Sequence, residues 1–163
     1  MLGAPDLAGA NNWIEKALSA DRTAATITIA DAMFKGVHLP QNRARAISLW
    51  TVAGQQRDGE LAWNNMALEL CTASDPGLRD PKRGLEAALK ATATNKTPSW
   101  LDTLSACQAA GNDFDAAGVT EQEALVKADP DFDLAANLRE RIELYRAHKG
   151  YLQPPYDAAP AHQ

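Results

Sequence analysis

Apolar positions recur along most of the chain at intervals of three and four, the spacing of one face of an α-helix. Residues 1–5 read as a lead-in. Asp6 is placed to cap a helix over 6–20, whose stripe is Leu7, Trp13, Ile14, Ala17 and Leu18, and Asp21 breaks it. A second helix, 23–35, carries Ile29, Ala30 and Met33 on one face. The Thr/Ile alternation at 26–29 is too short for a strand and lies between alanine-rich flanks. Gly36 stops this helix, and Leu39-Pro40 prevents immediate continuation. A third helix, 42–56, has the stripe Ala46, Ile47, Leu49, Trp50 and Ala53. The turn Arg57-Asp58-Gly59 leads into a fourth, 60–72, with Trp63, Met66, Ala67 and Leu70 at the spacing of a buried face.

The stretch TASDPGLRDPKR, with two prolines and a glycine, is the longest irregular connection. Asp80 caps a fifth helix with Pro81 at its first position, where the missing N–H costs nothing; this helix runs to about residue 94 through Leu85, Ala88, Leu89 and Ala91. Pro98 opens a sixth, 99–110, buried through Leu101, Leu104, Ser105 and Gln108. Gly111-Asn112-Asp113 turns into a seventh, 114–128. After Asp129-Pro130 an eighth, 132–148, keeps Leu134, Leu138, Ile142 and Tyr145 on one face. The last residues, YLQPPYDAAPAHQ, hold three prolines and no period, which predicts an extended or disordered tail.

One pattern recurs across these helices. Ile29-Ala30…Met33, Met66-Ala67…Leu70 and Leu104-Ser105…Gln108 each place a small residue beside a large apolar one, with a further side chain three positions on. Their first members stand 37 and 38 residues apart, a period in the range of stacked helix pairs. The small residue lets the paired helix approach, and the large one fills the space between layers.

Composition narrows the picture. The 163 residues suffice for one core, and a chain this long buries about two-thirds of its unfolded surface. Apolar residues make up 45% but aromatics only 6%, an alanine-rich mixture that favours closely packed helices. The net charge of −5 argues against a nucleic-acid surface, because Arg43, Arg45, Lys82, Arg83, Arg139 and Arg141 are interleaved with acids or apolar positions rather than clustered. No run of 18 apolar residues predicts a membrane span, and MLGAPDLAGANN has neither the basic nor the apolar region of a signal peptide. A leader removed beforehand leaves the same picture, so the compartment stays open between cytoplasmic and exported. Cys71 and Cys107 lie far apart inside apolar helical patterns, with no CxxC, and are expected to be buried free thiols; a disulfide requires their helices to be juxtaposed.

The stretch 29–67 resembles a Sel1-like repeat, with IADAMFKGVHLPQN matching the small-residue helix, glycine loop and Pro-Gln turn, and RARAISLWTVAGQQ the second helix. Gly54 replaces a habitual alanine there, and the turn is one residue longer than usual. Residues 60–130 resemble tetratricopeptide repeats, particularly the bacterial form. LDTLSACQAAGNDFDAAGVTEQEALVKADP supplies Leu101, Leu104, Ser105, Gly111, Phe114, Ala117, Ala124 and Pro130, and departs from the pattern at Gln108, where an aromatic is common, and at Glu121, where an apolar residue is. The resemblance implies an all-α fold: a right-handed α-solenoid of antiparallel helix pairs with about eight helices and three or four repeats over residues 1–150.

It also implies a scaffold rather than an enzyme, holding a peptide or partner helix in a groove lined by the first helix of each pair. Ile27, Asp31 and Lys35, then Asn64, Leu68 and Cys71, then Asp102 and Ala106 would face that groove, with Asn64 and Asn65 able to pair both polar groups of an extended peptide. Too few Lys or Arg accompany them to clamp a free carboxylate. The alternative is a structural or self-associating module that packs through its terminal helices. No nucleotide, zinc-protease or phosphate-loop motif is present, so no cofactor and no metal are expected. His38 lies in a Gly-Pro loop, His162 in the tail, and His148 where a helix end favours a cation.

Overall fold

The structure is a computed structural model that describes residues 23–129 and 133–155. Among the described residues the chain is all-helical, with seven α-helices, one short 3-10 turn and no strand. The helix expected over 6–20 lies outside the described residues, as does the tail beyond residue 155. The chain forms two compact units, residues 1–59 and 60–163.

In the first unit α1 (Thr23–Lys35) packs on α2 (Arg43–Gly54). Gly36 takes a left-handed φ of 71° and ends α1, while Asn42 caps α2 by accepting from the Arg45 N–H at 3.0 Å. Phe34 and Trp50 are fully buried with ring centroids 5.2 Å apart. Trp50 donates its indole N–H to Asp31 at 2.8 Å, which satisfies the one polar atom this ring brings inside. The buried stripe of α1 is Thr26, Ile27, Ala30, Met33 and Phe34, so Ile27 rather than Ile29 points into the core. In the turn after α2, Asp58 takes the left-handed conformation at 58°. Gly59 lies so close to the end of α2 that a Cβ there would stand 2.5 Å from the Ala53 carbonyl.

The second unit holds α3 (Glu60–Thr72), the 3-10 turn Pro76–Leu78, α4 (Pro81–Ala91), α5 (Pro98–Ala110), α6 (Phe114–Lys127) and α7 (Asp133–Arg146). Asp80, Thr97 and Asp113 cap α4, α5 and α6 through their side-chain oxygens, and proline opens both α4 and α5. Thr92 bonds back to the Ala88 carbonyl, and α4 ends at Ala91, short of the expected residue 94. Leu89 on this helix is exposed, because the small residues Gly84, Ala87, Ala88 and Ala91 form its buried stripe.

Helices pair as α3 with α4 and α5 with α6, and α7 packs on α6. The first helices of successive pairs also meet, α3 with α5 and, less extensively, α5 with α7; among the described residues no comparable contact joins α4 to α6. This asymmetry sets α3, α5 and α7 side by side, the packing of a helical repeat. α5 lies at the centre and is buried on nearly every side. Leu101, Ala124 and Leu138 form one core cluster, and Ala109, Ala117 and Tyr145 another.

The cysteines overturn the expectation of free thiols: Cys71 of α3 and Cys107 of α5 are joined in a disulfide, their Cα atoms 5.0 Å apart. The contact between successive first helices supplies the juxtaposition that local sequence does not show. Gly84 of α4 packs directly on this bridge, where a Cβ would collide with Cys71 Sγ. Alanine is usually the better helix residue by about 1 kcal/mol. Here overpacking reverses the sign, and Gly84→Ala is expected to lower stability by about 1–3 kcal/mol in urea unfolding. A stabilised variant would contradict this packing.

Candidate functional site

The polar chemistry of the second unit gathers on α3, α5, α6 and α7. Asp102 of α5 is buried and ion-paired to Arg141 of α7. Glu121 of α6 is wholly buried, with its Oε2 2.5 Å from Ser105 Oγ, which also lies 2.8 Å from the Asp102 main-chain carbonyl and 3.4 Å from the Tyr145 hydroxyl. The single Ser105 hydroxyl proton is shared between Glu121 Oε2 and the Asp102 carbonyl, and Glu121 Oε1 has no hydrogen-bond partner.

Burial of Glu121 outweighs the hydrogen bond from Ser105, which favours the charged carboxylate. Loss of hydration raises the Glu121 carboxyl to about 8, and the negative charge of Asp102 adds to the rise. Burial likewise lifts the Tyr145 hydroxyl above its usual range. Burial works against the Arg141 charge, but the hydrogen bond and charge of Asp102 outweigh it and hold the guanidinium above its ordinary value. Burial thus favours the uncharged carboxyl at Glu121, next to the Asp102–Arg141 ion pair.

The C-terminal segment crosses the row of first helices. After α7, His148 adopts a left-handed φ of 54° and Lys149 N–H donates to the Leu144 carbonyl at 2.9 Å, which turns the chain back. The Tyr151 ring lies over the Arg141 guanidinium at 3.9 Å. Gln153 then reaches α3. Its N–H donates to the Thr72 carbonyl at 2.8 Å, and its side-chain amide donates to Thr72 Oγ1 at 2.7 Å and to Glu69 Oε2 at 3.4 Å. Thr72 is the last residue of α3, so its carbonyl is one of those a helix end leaves without an internal donor. Residues 151–155 carry no regular secondary structure, and Tyr151 and Gln153 hold the segment against α7 and α3.

The anticipated groove residues divide between the two units. Asp31 and Lys35 belong to the first, where Asp31 is committed to Trp50 and Lys35 closes the last turn of α1. In the second unit Asn64, Leu68 and Asp102 lie on α3 and α5, with Asn65 half-buried beside Leu68. Asn64 is only 9% exposed, and its Oδ1 has no hydrogen-bond partner; Gln108 Oε1 on α5 is a second buried acceptor in the same condition. Asp102 on α5 is paired with Arg141, whereas Asn64 Oδ1 on α3 meets no donor. Cys71 and Ala106, which the resemblance turns towards a groove, are buried.

Sequence reasoning did not single out Glu69, Thr72, Arg141, Tyr145 or Tyr151. A signal existed for Glu121 and Gln108, since both depart from the repeat pattern and both place a polar atom where the pattern wants an apolar side chain.

Among the described residues no group of three or more His, Cys, Asp or Glu is placed to hold a metal ion, and no helix is long and apolar enough to cross a membrane. Compared with family models, with curated proteins and with solved structures, the chain matches none of them.

Proposed function

We propose that the protein is a non-enzymatic scaffold of the tetratricopeptide and Sel1-like kind, holding an extended segment of a protein partner against α3, α5 and α7. The observation that carries this reading is the Gln153 main-chain bond to Thr72, because this face already holds a stretch of extended polypeptide by its backbone. The unspent acceptors Asn64 Oδ1 and Gln108 Oε1 add to it, since a buried oxygen without a donor costs about 1–3 kcal/mol until a ligand N–H reaches it. The disulfide fits an oxidising compartment, which favours an exported setting.

Self-association is the competing reading. It draws on Val119 and Val126 of α6, 73% and 77% exposed beside a cleft of about 820 Å³ between α6 and α7. A photo-cross-linking residue placed at Leu68, at Val126, or at the outer position Leu89 separates the two readings in host extract. Capture of a partner from Leu68 and not from Leu89 is the expected outcome. Equal capture from both positions sinks the scaffold reading, and cross-links between copies from Val126 alone replace it with a homo-oligomer.

A further inference from the structure

We infer that residues 151–155 are a built-in ligand of the α3/α5/α7 face, and that the partner displacing them presents the same chemistry: an aromatic residue, any residue, a side-chain amide, then proline, in extended form. This rests on the scaffold reading and gives its ligand a sequence. The segment alternates as a bound strand does. Tyr151 and Gln153 are half-buried and make the ring and hydrogen-bond contacts, whereas Leu152 between them is the more exposed, at 46%. Specificity therefore resides in positions two apart, an aromatic face for Arg141 and an amide for Thr72 and Glu69.

The amide is the matching group. Thr72 Oγ1 donates its own proton to the Leu68 carbonyl at 2.6 Å, so it meets the ligand as an acceptor. Glu69 Oε2 is an acceptor as well, and only a side chain with two N–H donors on one nitrogen serves both; Gln153 Nε2 does. A carboxylate at this position would bring no donor and would stand beside Glu69. Pro154 and Pro155 have no N–H to leave unpaired, and their fixed φ lowers the entropic cost of ordering them.

The attachment is built to release. Beyond the Tyr151 stacking, the segment is secured by one main-chain bond and one amide. Gly150, at its root, is exposed, and a Cβ there would meet nothing within 4 Å, so the segment can swing without repacking α7. A tethered ligand of modest strength occupies its site because its effective concentration is in the millimolar range, and a free segment with the same groups competes once its own contacts are better.

The test uses the full-length chain and a fluorescent synthetic peptide, Tyr-Leu-Gln-Pro-Pro-Tyr. Tyr151→Ala with Gln153→Ala removes the ring and amide contacts and leaves only the main-chain bond to Thr72, so the segment gives up the face while α7 and the Asp102–Arg141 pair stay in place, and an unchanged circular dichroism melt confirms folding. The vacated chain is expected to bind the peptide at least tenfold more tightly than the wild-type chain does. Leu152→Ala in the chain should leave wild-type behaviour unchanged, and peptides with Tyr→Ala or Gln→Glu at the contact positions should lose binding. Equal affinity for the two chains, or no binding to the vacated chain at millimolar peptide, overturns the inference and leaves the segment a fixed strap. The titration needs no host partner, so it fails independently of the Leu68 cross-link. Loss of peptide binding with the cross-link retained sinks only this inference, and the reverse result sinks only the scaffold.

Discussion

Complete reduction of the Cys71–Cys107 bridge is expected to remove about 3–4 kcal/mol of stability, the value chain-entropy arguments give for a cross-link spanning 36 residues. The bridge connects α3 to α5 directly, and these are the helices that join one repeat to the next. Reduction leaves two buried thiols that behave as small apolar groups, so packing changes little and the loss reports the constraint on the unfolded chain. Urea unfolding of the oxidised and fully reduced protein measures it, and Cys71→Ala with Cys107→Ala should fall close to the reduced protein. The oxidised protein should also show no reactive thiol after denaturation. Two titratable thiols in denatured oxidised protein, or coincident unfolding curves, would remove the bridge from the account.

That bridge also marks the limit of what sequence makes legible here. Local chemistry was readable residue by residue: Asp80 caps a helix, Gly36 ends one, and proline opens two, because each acts within a few positions of itself. The 3.6-residue period likewise locates the stripe that each helix turns towards its hairpin partner. It says nothing about what closes over the other side. Asp102 meets Arg141 39 residues away, and Thr72 meets Gln153 at a separation of 81. The cysteines lie almost one repeat apart, at equivalent heights on neighbouring first helices, a relation visible only once the repeat is laid out in space. Three prolines and no period made the tail readable as extended or disordered, and the contacts of Tyr151 with Arg141 and of Gln153 with Thr72 lay beyond that reach. Only the misfits in the repeat, Gln108 and Glu121, pointed towards the buried polar groups.

Glu121 yields the second large effect, a stability that falls as pH rises. Its carboxyl titrates near the ordinary 4.5 when the chain is unfolded and at about 8 when folded, so between those values the folded state holds a proton that the unfolded state has lost. The stabilisation is fully present below about pH 4.5 and is gone once pH passes about 8. Between these limits the slope approaches ~1.4 kcal/mol per pH unit, the value for one proton. Burial sets this value first, with Asp102 raising it and Ser105 and Arg141 lowering it, and the Asp102–Arg141 pair leaves no net positive charge to draw the Glu121 proton away. Glu121→Gln separates this cause from any other titration. A glutamine oxygen accepts from Ser105 and its NH2 donates towards Asp102, reproducing the neutral acid without a proton to lose. The variant should match the wild type near pH 5, be the more stable of the two at pH 8, and show a flatter profile between them. Urea midpoints taken at each pH unit from 5 to 8 measure the difference. Parallel profiles for the two proteins would mean that Glu121 is ionised in the fold, and the neutral acid at the centre of the polar cluster would have to be abandoned.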